Sequence, residues 1–186
     1  MTGNIDWSKT ERIVIVREFP ENRFTSLLKD TVLQIELERL IENLKIKPTL
    51  LSKNSVTEEF RDLELLLIGT INPWNTTLRD KSNALLRELK VENIDLSDDT
   101  IEILAAMLSV PDPATCYNAI KLIGNVKDKV LLTNRLNLKN ALTIKDFLLS
   151  NLQSFRSDAL AFLTGLYPER SYWTAKEWVL WLSRKE

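Results

Sequence analysis

A leucine followed by a hydroxyl residue recurs along this chain and constrains its fold more than any other sequence feature. The members of the recurrence are Leu51-Ser52, Leu96-Ser97 and Leu142-Thr143. Each pair follows the previous one after about 45 residues, within the period of roughly 40 to 47 residues at which helical hairpins stack in arrays. The recurrence therefore predicts stacked helical hairpins of unequal size. Coincidence among the leucines of a helical chain is the alternative interpretation.

The composition favours a mainly α-helical fold. The 186 residues include only four glycines and six prolines, which leaves little material for the tight turns of an all-β protein. A chain of this length buries about 70% of the surface that its unfolded form exposes, so it needs neither disulfides nor metals for stability. The single Cys116 excludes an internal disulfide and a zinc site made of several cysteines.

Capping signals and apolar spacing predict about eight short helices. The predicted ranges are 24–45, 77–91, 98–109, 113–123, 144–154, 158–166 and 174–184, together with a helix that begins at Ser55 and ends at Gly69. The clearest local signal lies near the C-terminus, where Thr174 and Glu177 form a capping box and Trp173 and Trp178 a hydrophobic staple.

One short β-strand is predicted near the N-terminus. Residues 12–19 are rich in β-branched side chains and precede Pro20. A lone strand needs a neighbour, and Lys129 to Thr133 is the nearest other candidate within the chain. Ile13 and Ile15 are therefore expected to pair with the sheet edge of another chain.

The domain organisation is predicted to be simple. Residues 1–11 are mostly polar and are expected to form a mobile tail, and residues 12–186 to form a single α-helical domain. No apolar run approaches the 18 or so residues that span a bilayer, and no basic segment followed by an apolar run begins the sequence. We therefore expect a cytoplasmic protein that does not associate with membranes.

The absence of histidine argues against most enzyme classes. A chain with no histidine lacks the nucleophile systems built on Ser-His-Asp or Cys-His, and it lacks the commonest general base near neutral pH. The four glycines are never close together, so there is no phosphate-binding glycine loop. We expect no catalytic residues, no cofactor and no metal; an enzyme based on carboxylates or lysine is the least favoured alternative.

Charge is distributed unevenly along the sequence. Residues 91–120 contain six acidic side chains and no basic one, whereas residues 121–145 contain six basic side chains and one acidic one. The basic set is Lys121, Lys127, Lys129, Arg135, Lys139 and Lys145. Either the two segments neutralise each other, or the basic segment binds an acidic partner. Nucleic acid is a weaker alternative, because the overall pI is acidic and no aromatics are interleaved for base stacking.

Two of the five tryptophans are candidates for partner binding. Trp74 follows Asn72-Pro73 in a predicted loop, where exposure is expected. Trp7 lies in the polar tail, where it either packs back on the body or anchors a partner, since tryptophan is enriched among interface anchors. The tryptophans near the C-terminus are interpreted instead as part of the core.

The period of the recurrence resembles that of HEAT and armadillo arrays, in which stacked helices form a curved surface that binds other proteins. No sequence signature of either family matches closely enough to assign membership, so an irregular array of this kind or a helical bundle is predicted. The chain is therefore expected to be a non-enzymatic protein-protein interaction module, acting as a scaffold, an adaptor or an inhibitor.

Overall fold

Nine α-helices form most of the part of the chain that the computed structural model describes, which comprises residues 24, 27–46, 62–89, 91, 97–136 and 142–184. The helices are α1 (Thr31–Ile46), α2 (Asp62–Thr70), α3 (Thr76–Glu88), α4 (Asp98–Ser109), α5 (Pro113–Gly124), α6 (Lys129–Arg135), α7 (Leu142–Leu149), α8 (Gln153–Leu166) and α9 (Ala175–Arg184), with a 3-10 turn at Pro168–Arg170. These residues contain no strand. The prediction of a mainly helical fold is confirmed.

Several predictions fall on residues outside the described ranges. The predicted strand at 12–19, with Ile13 and Ile15, lies there, as does the predicted tail at 1–11 with Trp7. The Leu51-Ser52 member of the recurrence and the predicted cap at Ser55 also lie outside them.

The helix predicted over residues 24–45 is interrupted at residues 28–30. There the Oδ1 of Asp30 accepts a hydrogen bond from the amide of Val32 at 2.9 Å, and the Asp30 carbonyl accepts from the amide of Gln34 at 3.2 Å. Asp30 therefore caps α1 at its N-terminus. The apolar pattern conceals the interruption because Phe24 and Leu28 are both fully buried.

The helices pack mainly against near neighbours in the sequence. Contacts join α1 to α2 and α3, α2 to α3 and α4, and α5 to α3 and α4. Towards the C-terminus, α7 contacts α4, α5, α8 and α9, while α8 also contacts α5 and α6. The buried apolar side chains of all nine helices belong to one continuous core. No described helix combines the length and the apolar character that crossing a membrane requires.

A glycine allows the closest approach of helices in the first half of the chain. A Cβ atom placed on Gly69 of α2 would lie 2.5 Å from the Cδ2 of Leu37 in α1 and 2.6 Å from the Oγ of Ser82 in α3. Both distances are shorter than any normal contact, so a side chain at this position would force the buried Leu37 and Ser82 to shift.

The interface between α3 and α5 contains a buried network of hydrogen bonds, which we call the polar seam: Asn83, Asp112, Thr115 and Asn118. The Nδ2 of Asn118 donates to the Oδ1 of Asn83 at 2.9 Å, and the Nδ2 of Asn83 donates to the Oγ1 of Thr115 at 3.0 Å. The Thr115 hydroxyl lies 2.6 Å from the Oδ2 of Asp112 and 2.9 Å from the carbonyl oxygen of Thr70. The seam therefore links α5 to α3 and to the last residue of α2.

A second buried polar contact fixes the start of α4. The predicted cap at Ser97 is confirmed, because its Oγ accepts from the amide of Thr100 at 3.1 Å. The hydroxyls of Ser97 and Thr100 also donate to the buried Oε1 of Glu64 in α2, each at 3.0 Å. The carboxylate of Glu64 in α2 thus positions the first turn of α4.

Aromatic side chains dominate the packing at the C-terminus, in a cluster that we call the aromatic end: Tyr167, Trp173, Trp178 and Trp181. The predicted staple is confirmed by a distance of 4.8 Å between the ring centroids of Trp173 and Trp178. In the predicted capping box, the amide of Glu177 donates to the Oγ1 of Thr174 at 3.3 Å. Next to this cluster, Phe147 of α7 stacks on Phe155 of α8 at 4.6 Å.

Three predictions in the C-terminal half are wrong: the bounds of two helices and a strand candidate. The helix predicted at 144–154 ends at Leu149, and α8 begins at Gln153, not at residue 158. The intervening turn is closed by Ser150, whose Oγ accepts from the amide of Leu152 at 3.0 Å and whose carbonyl accepts from Arg156 at 2.6 Å. The strand candidate from Lys129 to Thr133 is part of helix α6.

Candidate partner-binding surfaces

The turn between α2 and α3 presents Trp74 on a rigid backbone. The fully buried Asn72 uses its Oδ1 to accept hydrogen bonds from the amides of Trp74 at 2.9 Å and Asn75 at 3.0 Å. The Oδ1 of Asn75 then accepts from the amide of Leu78 at 3.0 Å and caps α3. Pro73 fixes one backbone angle between them. The position of Trp74 is therefore set by the fold.

The Trp74 side chain itself is 54% exposed. The Nζ of Lys29 lies 4.6 Å from the centroid of its ring, a distance at which a cation and an aromatic face attract each other. The side chains of Gln34 and Asn75 join α1 to the turn at 3.3 Å. The first two turns of α1 also expose Val32 and Ile35. We call Lys29 and Trp74 the Trp74 surface.

The basic segment is divided among several elements. Lys121 is exposed on α5, with its Nζ 5.8 Å from the ring centroid of Tyr117. Lys127 is exposed in the turn before α6, and the Nζ of Lys129 donates to the Gly124 carbonyl at 3.2 Å. Burial raises the pKa of Asp158, whereas Lys121 lowers it. Lys121 is therefore close enough to an acidic side chain for partial neutralisation.

The remaining basic candidates do not extend the set of exposed lysines formed by Lys121 and Lys127. Arg135 of α6 forms an ion pair with Asp98 in the first turn of α4. At this position the acidic and basic segments neutralise each other, as the first of the two interpretations expects. Lys145 is half-buried on α7, and Lys139 lies outside the described residues.

Helix α6 exposes two apolar side chains that the sequence interpretation overlooked. Val130 and Leu131 face solvent, while Leu132 and Leu136 are buried. The signal that could have revealed this helix is Asp128, whose Oδ1 caps it by accepting from the amide of Leu131 at 2.9 Å. An aspartate before a pair of leucines four residues apart is typical of a short helix start.

At the aromatic end, the guanidinium group of Arg170 faces three rings. Its central carbon lies 4.8 Å from the ring centroid of Trp173, 4.9 Å from that of Trp181 and 5.7 Å from that of Tyr167. The Nη1 of Arg170 is buried and has no hydrogen-bond partner among the residues that the structure describes. Of the tryptophans assigned to the core, Trp178 is fully buried, but Trp173 and Trp181 are only half-buried. Sequence reasoning did not single out Arg170.

A small cleft lies between the C-terminal ends of α3 and α5. It is lined by Leu86, Leu89, Val91, Asn118, Lys121, Leu122 and Asn125. Its volume of about 40 Å³ holds a few water molecules and is far below the roughly 300 Å³ of a typical small-molecule site.

The buried thiol of Cys116 is poorly suited to nucleophilic chemistry. Burial raises the pKa of this thiol, and the carboxylates of Asp112 and Asp146 raise it further. A reactive cysteine needs the opposite environment, because the thiolate is the nucleophile. Within the described ranges, no three Cys, Asp or Glu side chains converge where a metal ion could bind.

No protein-family model matches this sequence, and neither the curated proteins nor the solved structures compared with it include a significant match.

Proposed function

We propose that this chain is a non-enzymatic protein-protein interaction module whose Trp74 surface anchors a partner protein. The observation that carries the proposal is an exposed tryptophan on a turn fixed by the buried side chain of Asn72. Tryptophan is enriched among the few residues that supply most of the binding energy of interfaces.

The rigidity of the turn makes Trp74 a better interface anchor than an exposed tryptophan on a flexible backbone would be. Binding normally costs about 0.5–1.5 kcal/mol for each flexible side chain that becomes ordered. The hydrogen bonds from Asn72 and the cap by Asn75 already order the backbone on both sides of Trp74. Lys29 adds a cation beside the anchor.

The order of helix contacts supports an irregular array of stacked hairpins as the scaffold. Helices α2, α4 and α7 contact one another in series, and so do α3, α5 and α8. This arrangement is typical of units that each pack on the next, as in HEAT and armadillo arrays. Because α2, α4 and α7 begin at residues 62, 98 and 142, the proposed units differ in length.

The module would act by surface complementarity, in the cytoplasm, as a scaffold, an adaptor or an inhibitor. Nucleic-acid binding through residues 121–145 is less favoured, because Arg135 is paired with Asp98 and residues 121–136 contain no aromatic side chain for base stacking.

Comparative affinity capture tests the proposal. The full chain, the Trp74→Ala variant and a control variant, Val130→Ala, would be used as baits in lysate of the native cells, with quantitative mass spectrometry. Val130 is 73% exposed on α6, so the control shortens an exposed apolar side chain elsewhere on the surface. We expect at least one protein to be recovered equally by the wild type and the control but about tenfold less by Trp74→Ala, as for an interface hot spot. Equal recovery of every captured protein by all three baits would refute the role of Trp74.

A further inference from the structure

We propose that the aromatic end is a second docking surface, at which Arg170 binds a side-chain carboxylate of a partner protein. This inference rests on the proposed function only in assuming that the chain binds proteins, since it concerns different residues. The central observation is a cation surrounded by aromatic rings and lacking a counterion among the described residues.

The guanidinium group of Arg170 has donors that the described residues do not use. Its Nη1 is buried and has no hydrogen-bond partner among them. Its Nε and Nη2 form no hydrogen bond or ion pair with the described residues either, but unlike Nη1 they are not buried. The Nε and Nη2 are therefore open to an incoming acceptor. A carboxylate matches the planar fork of a guanidinium and bonds to it through two parallel hydrogen bonds.

The rings around Arg170 strengthen such a contact in two ways. Tyr167, Trp173 and Trp181 hold the guanidinium in place through their faces, so little side-chain freedom is lost on binding. They also exclude water from part of the group, which makes an ion pair stronger than one in bulk solvent. Arginine, tryptophan and tyrosine are the residue types most often found as binding hot spots.

An exposed aromatic side chain follows Arg170 closely in the sequence. It belongs to Tyr172, which is 78% exposed and lies two residues after Arg170. The acidic side chains nearby, Glu169 and Glu177, are exposed and form no ion pair with Arg170. We therefore infer a partner segment in which an aspartate or a glutamate lies next to a large apolar residue.

Titration of the full chain with a labelled peptide tests this assignment. The probe is a short peptide with blocked ends and one glutamate between leucines. Its counterparts carry glutamine, phosphoserine, or a free C-terminal carboxylate in place of the glutamate. Binding would be followed by fluorescence anisotropy, and its location by the indole N–H resonances of the tryptophans.

We expect the glutamate peptide to bind and to shift the resonances of Trp173 and Trp181 but not that of Trp74. Arg170→Gln should weaken binding at least about tenfold, as expected when one partner of a hydrogen-bonded charge pair is removed, and Arg170→Lys should weaken it less. A control, Arg39→Gln, removes an exposed arginine from α1 and should leave binding unchanged. Circular dichroism would establish that each variant is folded. If Arg170→Gln does not fold, the comparison of Arg170→Lys with the wild type still tests the inference.

Equal binding of the glutamate and glutamine peptides, or no binding by either, would overturn the inference. Tighter binding of the phosphoserine or free-carboxylate peptide would overturn it in favour of that ligand. Trp74→Ala should not alter any of these titrations, so this inference and the proposed function fail separately.

Discussion

The polar seam between α3 and α5 and the aromatic end around α9 join helices by different physical means. In the seam, the buried Asn118 donates from its Nδ2 to both the Oδ1 and the backbone carbonyl of Asn83. At the aromatic end, Trp178 is fully buried and contacts other rings, and its indole Nε1 has no hydrogen-bond partner among the described residues. The seam depends on matched donors and acceptors, whereas the aromatic end depends on the volume and area of its rings.

Because of this difference, the two regions should tolerate different kinds of substitution. A buried hydrogen-bond network specifies one register of the two helices, because a shift leaves donors unsatisfied in a low-dielectric interior. Aromatic packing is less directional, and rings adopt several favourable arrangements at similar distances. We therefore expect the seam to be sensitive to chemistry and the aromatic end to be sensitive to size.

The largest effect is expected from removal of the central ring of the aromatic end. Trp178→Ala should lower the free energy of unfolding by about 3–5 kcal/mol, the range for a buried aromatic replaced by alanine. Trp178→Phe should cost much less, because the Nε1 that it removes has no hydrogen-bond partner. Urea unfolding followed by circular dichroism measures both. Equal losses for the two variants would show that the indole, and not ring volume, matters here.

The next largest effect is expected in the polar seam. Asn83→Ala removes the partner of both Asn118 and Thr115 and should lower the free energy of unfolding by about 2–3 kcal/mol, as for a buried network left unsatisfied. The same change at the exposed Asn134 should alter it by less than about 0.5 kcal/mol. A double-mutant cycle with Asn118→Ala should give a coupling of about 1 kcal/mol. Additive effects would mean that the two amides do not act as one network.

Alanine substitution of two glycines compares the packing around α2 with that around α8. Gly69→Ala should destabilise the protein by about 2 kcal/mol, because the new Cβ would clash with Leu37 and Ser82 and overpacking costs about 1–3 kcal/mol. Gly165→Ala in α8 meets no atom within 4 Å and should stabilise the protein by up to about 1 kcal/mol through helix propensity. Thermal unfolding of both variants provides the measurement. The same sign for both changes would contradict the close approach of α1, α2 and α3.

The smallest effect concerns Cys116, which lies between the two regions. Burial is the main cause of its raised pKa, and Asp112 of the seam and Asp146 of α7 add to it. The folded thiol stays protonated while the unfolded thiol ionises above about pH 8.5. Its contribution to stability is thus complete below that pH and decreases above it, at up to about 1.4 kcal/mol per pH unit.

Between about pH 8 and about pH 9.5, the wild type should therefore lose about 1 kcal/mol more stability than Cys116→Ala does. Urea unfolding of both proteins at the two pH values gives the difference, and effects of the other titrating groups cancel in it. Identical pH dependence of the two proteins would place the thiol in a more polar environment than its burial indicates.

Helix starts that depend on local signals could be predicted from the sequence. Features that depend on contacts between distant residues could not. Ser97 and Thr174 cap helices as expected because a cap involves residues only three apart. The start of α8 was misplaced because Leu152 has no capping side chain, while the buried Phe155 stacks on Phe147 of another helix. The break at Asp30 was hidden because buried apolar residues continue across it.

The candidate surfaces show the same difference between local sequence signals, which are predictable, and contacts between distant residues, which are not. Trp74 was identified because proline and asparagine mark a turn within a few residues, although its fixation by Asn72 required the structure. The pairing of Arg135 with Asp98 joins α6 to the start of α4, which charge patterns along the chain do not show. Arg170 escaped notice because three rings from two different segments surround it.

The order in which the helices contact one another also bears on protein synthesis. Helix α1 makes its main contacts with α2 and α3, and no helix after α3 is needed to complete them. Domains generally fold as units during synthesis, with N-terminal ones first. Because α1 to α3 share their main contacts, we expect them to begin to pack around Gly69 while the tryptophans of α9 are still being translated.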